Sequence, residues 1–86
     1  MSGNILKKKQ AILILEKYLD QPVELSLSSG EVVAGTLKGF DSNVNVVLAN
    51  ALQRRGAATR WLGSAIIRGS VVAAVLGGAN NIDNPF

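Results

Sequence analysis

Cysteine and histidine are both absent from this 86-residue chain. Their absence excludes disulfides, zinc sites built on either residue, thiol nucleophiles and the side chain that most often serves as a general base. Aromatics are scarce: one Trp, one Tyr and two Phe. The 48% of hydrophobic residues is therefore mostly Val, Leu, Ile and Ala, which suits short, tightly packed strands. No apolar run reaches the roughly 20 residues needed to span a bilayer. Lys7, Lys8 and Lys9 precede the apolar stretch Ala11 to Leu15, but Glu16, Lys17 and Asp20 follow at once, as on a surface helix and unlike a signal peptide. The expectation is a soluble, intracellular protein with no membrane partner. Three Asp and three Glu are present, yet no pair stands at a catalytic spacing and no nucleophile–base set accompanies them. That speaks against an enzyme and a small-molecule substrate, and implies no cofactor and no metal.

The length fits one domain, 1–86, with a small core, since a domain of this size buries only about two-thirds of the surface its unfolded chain exposes. Such domains lean on cross-links, metals or partner subunits. With the first two removed, association remains. The net charge is +3, and all four Arg lie in the second half, at positions 54, 55, 60 and 68. Arg suits phosphates and base faces, although charge alone reads equally as a solvated surface.

Periodicity divides the chain into one helix and five strands. Ile12, Leu15 and Leu19 recur at intervals of three and four, which predicts a helix over about 5–19, ended by Asp20-Gln21-Pro22. From Pro22 the period is two, with Val23, Leu25 and Leu27 on one side and Glu24, Ser26 and Ser28 on the other. Ser29-Gly30 predicts a hairpin turn into a strand over Val32 to Phe40. Gly35 and Gly39 inside that strand mark a bend or a close backbone approach. Asp41-Ser42-Asn43 reads as a turn and Asn45 to Leu48 as a third strand. Asn50 to Arg60, polar, basic and without period, reads as a loop. Trp61 to Ile67 and Val71 to Leu76 are the last two strands, split by Arg68-Gly69-Ser70. Trp61 reads as a plug inside the barrel, and the tail 77–86 lacks the apolar surface to pack alone. The sum is a mostly β fold: a short α-helix, then a strongly bent five-stranded antiparallel sheet forming a small open barrel over about 22–76. Its apolar last strand leaves an edge that another subunit's strand would pair with, and such pairing can close a ring.

Two stretches of this pattern resemble the motifs of the Sm-like (LSm) family. Gly35 to Leu48 (GTLKGFDSNVNVVL) is similar to the first Sm motif, and Leu62-Gly63 through Ile66-Ile67-Arg68-Gly69-Ser70-Val71 to the second, whose centre is Ile-Arg-Gly followed by a small polar residue. The likeness covers about Leu13 to Leu76. Within the family, Lys17-Tyr18-Leu19-Asp20 leading into Pro22-Val23-Glu24-Leu25, then Leu37-Lys38-Gly39-Phe40-Asp41 and terminal Asn84-Pro85-Phe86, resemble the branch that supplies the seventh subunit of the eukaryotic heteroheptameric ring.

The resemblance implies a ring subunit that holds one nucleotide between two loops. Asn45 would bond a base edge, with Asp41 orienting it; Arg68 would stack on the base and approach phosphate. Gly69, followed by Ser70, would bring backbone close to the ligand, and position 43 would stack on the other side. The residue chemistry agrees, because an amide offers donor and acceptor together and a guanidinium stacks while its edge binds phosphate. Asn43 departs from the family, which often places a stacking side chain there, so this pocket is expected to be a weaker one. Taken singly, Asp41 and Asn45 read as turn caps, Arg68 as a surface ion-pair partner, and the glycines as bend formers. Their joint occurrence favours an RNA pocket. Lys7 to Lys9, Arg54 and Arg55 read nearer to solvated surface charge, the alternative being electrostatic contact with RNA backbone. The implied partners are uridine-rich single-stranded RNA 3′ ends, spliceosomal small nuclear RNA and other LSm subunits, in nucleus and cytoplasm. The alternatives are the G-type subunit of the Sm core, an archaeal-type homoheptamer, or a protein-only β-barrel adaptor.

Overall fold

The computed structural model describes residues 2–77 and 81–83, with side chains from 8 to 76. A helix, α1 (Ser2–Lys17), precedes strands β1 (Pro22–Leu27), β2 (Val32–Phe40), β3 (Val46–Arg55), β4 (Ala58–Ile67), β5 (Val72–Gly77) and β6 (Asn81–Asp83). The strands form one antiparallel sheet in the order β4-β3-β2-β1-β5-β6, open at both ends. All five expected strands are present. No helix among the described residues is long and apolar enough to cross a membrane.

α1 ends two residues before the expected boundary. Asp20 adopts a left-handed conformation, φ 63°, and its N–H donates to the Leu37 carbonyl at 2.7 Å. The chain has therefore turned before Leu19, which is exposed. The stripe that faces the sheet is Ala11, Leu15 and Tyr18 rather than Ile12, Leu15 and Leu19, with Ile12 only partly buried. Beneath it lie Val23, Leu25, Val33, Leu37, Val44, Val46, Leu48, Ala51, Val72 and Val75. The strand alternation read from Val23, Leu25 and Leu27 holds, with the first two buried and the third packed against the core.

The sheet bends where three neighbouring strands each carry an irregular residue. Gly35 interrupts the β2 register, and a Cβ there would lie 2.9 Å from the Ala49 carbonyl and 3.1 Å from the Ala51 Cα. Asn50 takes φ 54° in β3 and Gly63 takes φ 72° in β4, beside the register shifts around Ala51. The close approach expected of Gly35 is thus to β3. A Cβ on Gly39 meets nothing within 4 Å, so that glycine has no such role.

Asn50 to Arg60 is a hairpin and not a loop. Arg54 pairs with Thr59 and Arg55 with Ala58 around a Gly56-Ala57 turn, with Gly56 at φ 57°. The pattern was silent because both faces of this projecting arm meet water, leaving no alternation to read. Arg54 and Arg55 reach Glu24 and Glu31 at 3.5 and 3.8 Å, half-exposed to exposed pairs of small energetic weight. Trp61 is no plug: it lies on this arm, 63% exposed, opposite Leu52. Val71 belongs to a 3-10 turn, Gly69–Val71, and β5 starts at Val72. The tail contributes a strand, since Asn81–Asp83 pairs with Val75–Gly77. The terminal Asn84-Pro85-Phe86 lies outside the described residues.

Candidate nucleic-acid interface

Two connections, 41–45 between β2 and β3 and 68–71 between β4 and β5, meet at one end of the sheet. The first is wound around Asp41. Its Oδ1 accepts the Asn43 and Asn45 backbone N–H groups at 2.9 and 3.0 Å, and its Oδ2 accepts Asn45 Nδ2 at 3.0 Å. The Asp41 N–H donates to the Asn45 carbonyl at 3.1 Å and the Val44 N–H to the Asp41 carbonyl at 3.0 Å, closing the turn. The Asn45 side-chain donor, then its backbone donor, hold the Asp41 carboxyl below the usual carboxylate range, with the Asn43 donor adding to them against a smaller opposing effect of desolvation. The Val44 side chain is 2% exposed and sits in the core although its φ is 63°, a conformation a β-branched residue adopts only when its surroundings enforce it.

The second connection is latched to the first. The Gly69 N–H donates to Asn45 Oδ1 at 2.9 Å. A Cβ on Gly69 would collide with the Asn43 carbonyl and stand 2.9 Å from the Val44 carbonyl carbon. Gly69 thus permits a close approach to the facing loop.

Between the loops opens a cleft of about 580 Å³, lined by Lys8, Asn43, Asn45, Ile66, Arg68, Gly69 and Ser70. Five of the six residues singled out from sequence line it, and Asp41 holds Asn45 rather than lining it. Ile66 was missed, and Lys8 had stood outside the site set, as one of three lysines readable as solvated or as touching RNA backbone. Ile66 is 74% exposed, and its outward position was legible from its pairing partner in the apolar strand only once the register was known: it stands opposite Val47, also exposed, on the outer face. The Asn45 amide is pinned by Asp41 on one side and Gly69 on the other. That fixes which end is oxygen, and leaves one N–H and one oxygen lone pair free. A pinned amide with one donor and one acceptor, an apolar patch and an Arg form a surface that can read the edge and cover the face of a planar, hydrogen-bonding ligand.

Fold and cleft together describe a small open barrel with two loops converging on a polar, cationic recess, and the family match agrees. The chain belongs to the LSM-domain family, whose model matches residues 13–76. It is similar to LSM complex subunit lsm7 of Schizosaccharomyces pombe, 34% identical over 92% of this chain and 79% of that one. It is likewise similar to a probable U6 snRNA-associated Sm-like protein LSm7 of Dictyostelium discoideum, 33% identical over the full length of both. Among solved structures, the Pyrococcus abyssii Sm protein in complex with a uridine heptamer superposes with a TM-score of 0.71 at 32% identity, covering 74% of this chain and 92% of that one. The sequence resemblance to the family, and to its LSm7 branch, is borne out. The protein is an LSm7-like member of the Sm/LSm family.

Proposed function

We propose that this chain is a non-catalytic subunit of a heteroheptameric LSm ring and grips one nucleotide of a uridine-rich RNA 3′ end in the cleft between its two loops. The observation that carries the reading is the latch at Asn45, which draws both family motifs into one recess with a base-reading amide at its centre. A uracil edge offers an N–H beside a carbonyl, the complement of the donor and acceptor Asn45 keeps free. Arg68 covers the base face, Ser70 borders the recess, and Asn43 and Ile66 stand where an aromatic side chain would stack better. Loss of an aromatic platform costs on the order of 1–3 kcal/mol per base, so this pocket is one of the weaker ones and draws affinity from its neighbours by avidity. The uridine heptamer bound to the archaeal Sm relative supports the ligand class.

Ring assembly draws on the open sheet. β4 has no partner on its outer side, and Val72–Ala74 of β5 have none beyond β1 among the described residues. Each edge suits the strand of an adjoining subunit. The similarity to LSm7 proteins supports roles in spliceosomal small nuclear RNA chaperoning in the nucleus and messenger RNA decay in the cytoplasm. The test is an oligouridine titration of the assembled ring carrying Asn45→Ala or Arg68→Ala in this subunit. Each variant weakens binding while the barrel keeps its far-ultraviolet spectrum. Wild-type affinity in both overturns the pocket assignment.

A further inference from the structure

One wall of the cleft belongs to neither motif. Lys8 comes from α1, and its presence there follows from helix geometry. Positions 8, 11, 15 and 18 are spaced three, four and three apart, so they form one stripe on the helix. Ala11, Leu15 and Tyr18 of that stripe are buried against the sheet. Lys8 is the next member toward the N-terminus, and side chains on a helix lean in that direction. It therefore leaves α1 on the sheet side, past the rim of the core, where the two loops meet. Lys9, the next residue in the chain, is rotated about 100° away and does not line the cleft.

The electrostatics single out the same residue. The lining includes two cations, Lys8 and Arg68, and no carboxylate. Neither cation makes an ion pair among the described residues, whose pairs are Lys38–Asp20, Arg54–Glu24 and Arg55–Glu31. The neighbouring acid, Asp41, is held by three donors of its own loop. A recess of about 580 Å³ falls in the range of about 300–1,000 Å³ that encloses a whole small ligand, which leaves room for ribose and phosphate beside a base. Lysine, a compact point charge with three donors, suits a phosphate oxygen, while the flat guanidinium of Arg68 suits a base face.

We infer that Lys8 is a phosphate clamp for the nucleotide held at Asn45 and directs the RNA backbone along the helix side of the ring. This rests on the reading of the cleft as a base pocket, and the experiment separates the two. Rings carrying Lys8→Ala, Lys8→Arg, Lys9→Ala or Asn45→Ala in this subunit, each checked for intact mass, are titrated with labelled oligouridine across a salt series. Loss of one phosphate contact on a single strand lowers the salt slope of the logarithmic affinity by about 0.7. By counterion release alone that is a loss of about eightfold at 50 mM salt and about threefold at 200 mM. Lys8→Ala shows this loss, Lys8→Arg restores the slope, and Lys9→Ala matches wild type. A wild-type slope in Lys8→Ala, or an equal fall in Lys9→Ala, overturns the clamp. Asn45→Ala judges the base pocket separately: reduced affinity there with an unchanged Lys8→Ala slope removes the clamp alone, and wild-type affinity there removes the pocket reading itself.

Discussion

Gly69→Ala puts the junction of the two loops under direct load. The added methyl meets backbone on the facing loop: the Asn43 carbonyl, and the Val44 carbonyl carbon and oxygen at 2.9 and 3.0 Å. No flexible side-chain end can yield. The facing loop cannot retreat either, because Val44 is anchored in the core at 2% exposure. If the loops stay together, the clash is an overpacking strain of about 1–3 kcal/mol. If they part, the Gly69 to Asn45 hydrogen bond is lost, about 1 kcal/mol, and the amide that reads the base is no longer pinned. A loss of about 2 kcal/mol lowers the melting temperature of a domain this small by roughly 8–16 °C. The assay is thermal unfolding at fixed protein concentration, since assembly makes the midpoint concentration-dependent, paired with an oligouridine titration. Gly39→Ala is the control, because its methyl meets nothing within 4 Å. Gly69→Ala is expected to lose stability, affinity or both, and Gly39→Ala to lose little of either. Equal behaviour of the two variants refutes the latch.

Two further outcomes follow from the same geometry. Asp41 titrates below the ordinary carboxylate value of 3.8 because its charged form is held by the Asn45 and Asn43 donors; the order it gives the loop is complete above that value and lost as pH falls through the lower folded value. Amide resonances of Asn43 and Asn45 followed by NMR should move with a midpoint below 3.8, and a midpoint at or above it contradicts the hydrogen-bond pattern. Trp61→Ala, at a residue 63% exposed, is expected to cost less than about 1 kcal/mol in denaturant unfolding, whereas a Trp inside the barrel would cost about 3–5 kcal/mol.

The legible parts of this chain were those in which burial imposes a period. β1 and β2 showed through Val23, Leu25, Val33 and Leu37, which alternate because one face of each strand meets the core. The β3–β4 arm did not show beyond Leu48, because Arg54, Arg55, Ala58 and Thr59 are exposed and are held by backbone pairing and two weak ion pairs, neither of which leaves a hydrophobic period. Leu19 misled because Leu15 has apolar neighbours at both three and four residues onward. Only the left-handed turn at Asp20 decides in favour of Tyr18. The motif residues of the cleft were visible through their likeness to a family and through their chemistry. Lys8 was legible only as one of three consecutive lysines that could be solvated or touch RNA backbone; which of them reaches the cleft depends on how α1 sits over the two loops. Gly69 was visible as a glycine that must admit backbone, yet nothing local says that the backbone is Asn43 and Val44.

A high-resolution structure of the assembled ring bound to oligouridine tests the central claim most directly. The expected result is one uracil in this subunit's cleft, its edge within hydrogen-bond distance of the Asn45 amide and its face against Arg68. RNA held elsewhere in the ring, with this cleft bare at full occupancy of the others, contradicts it.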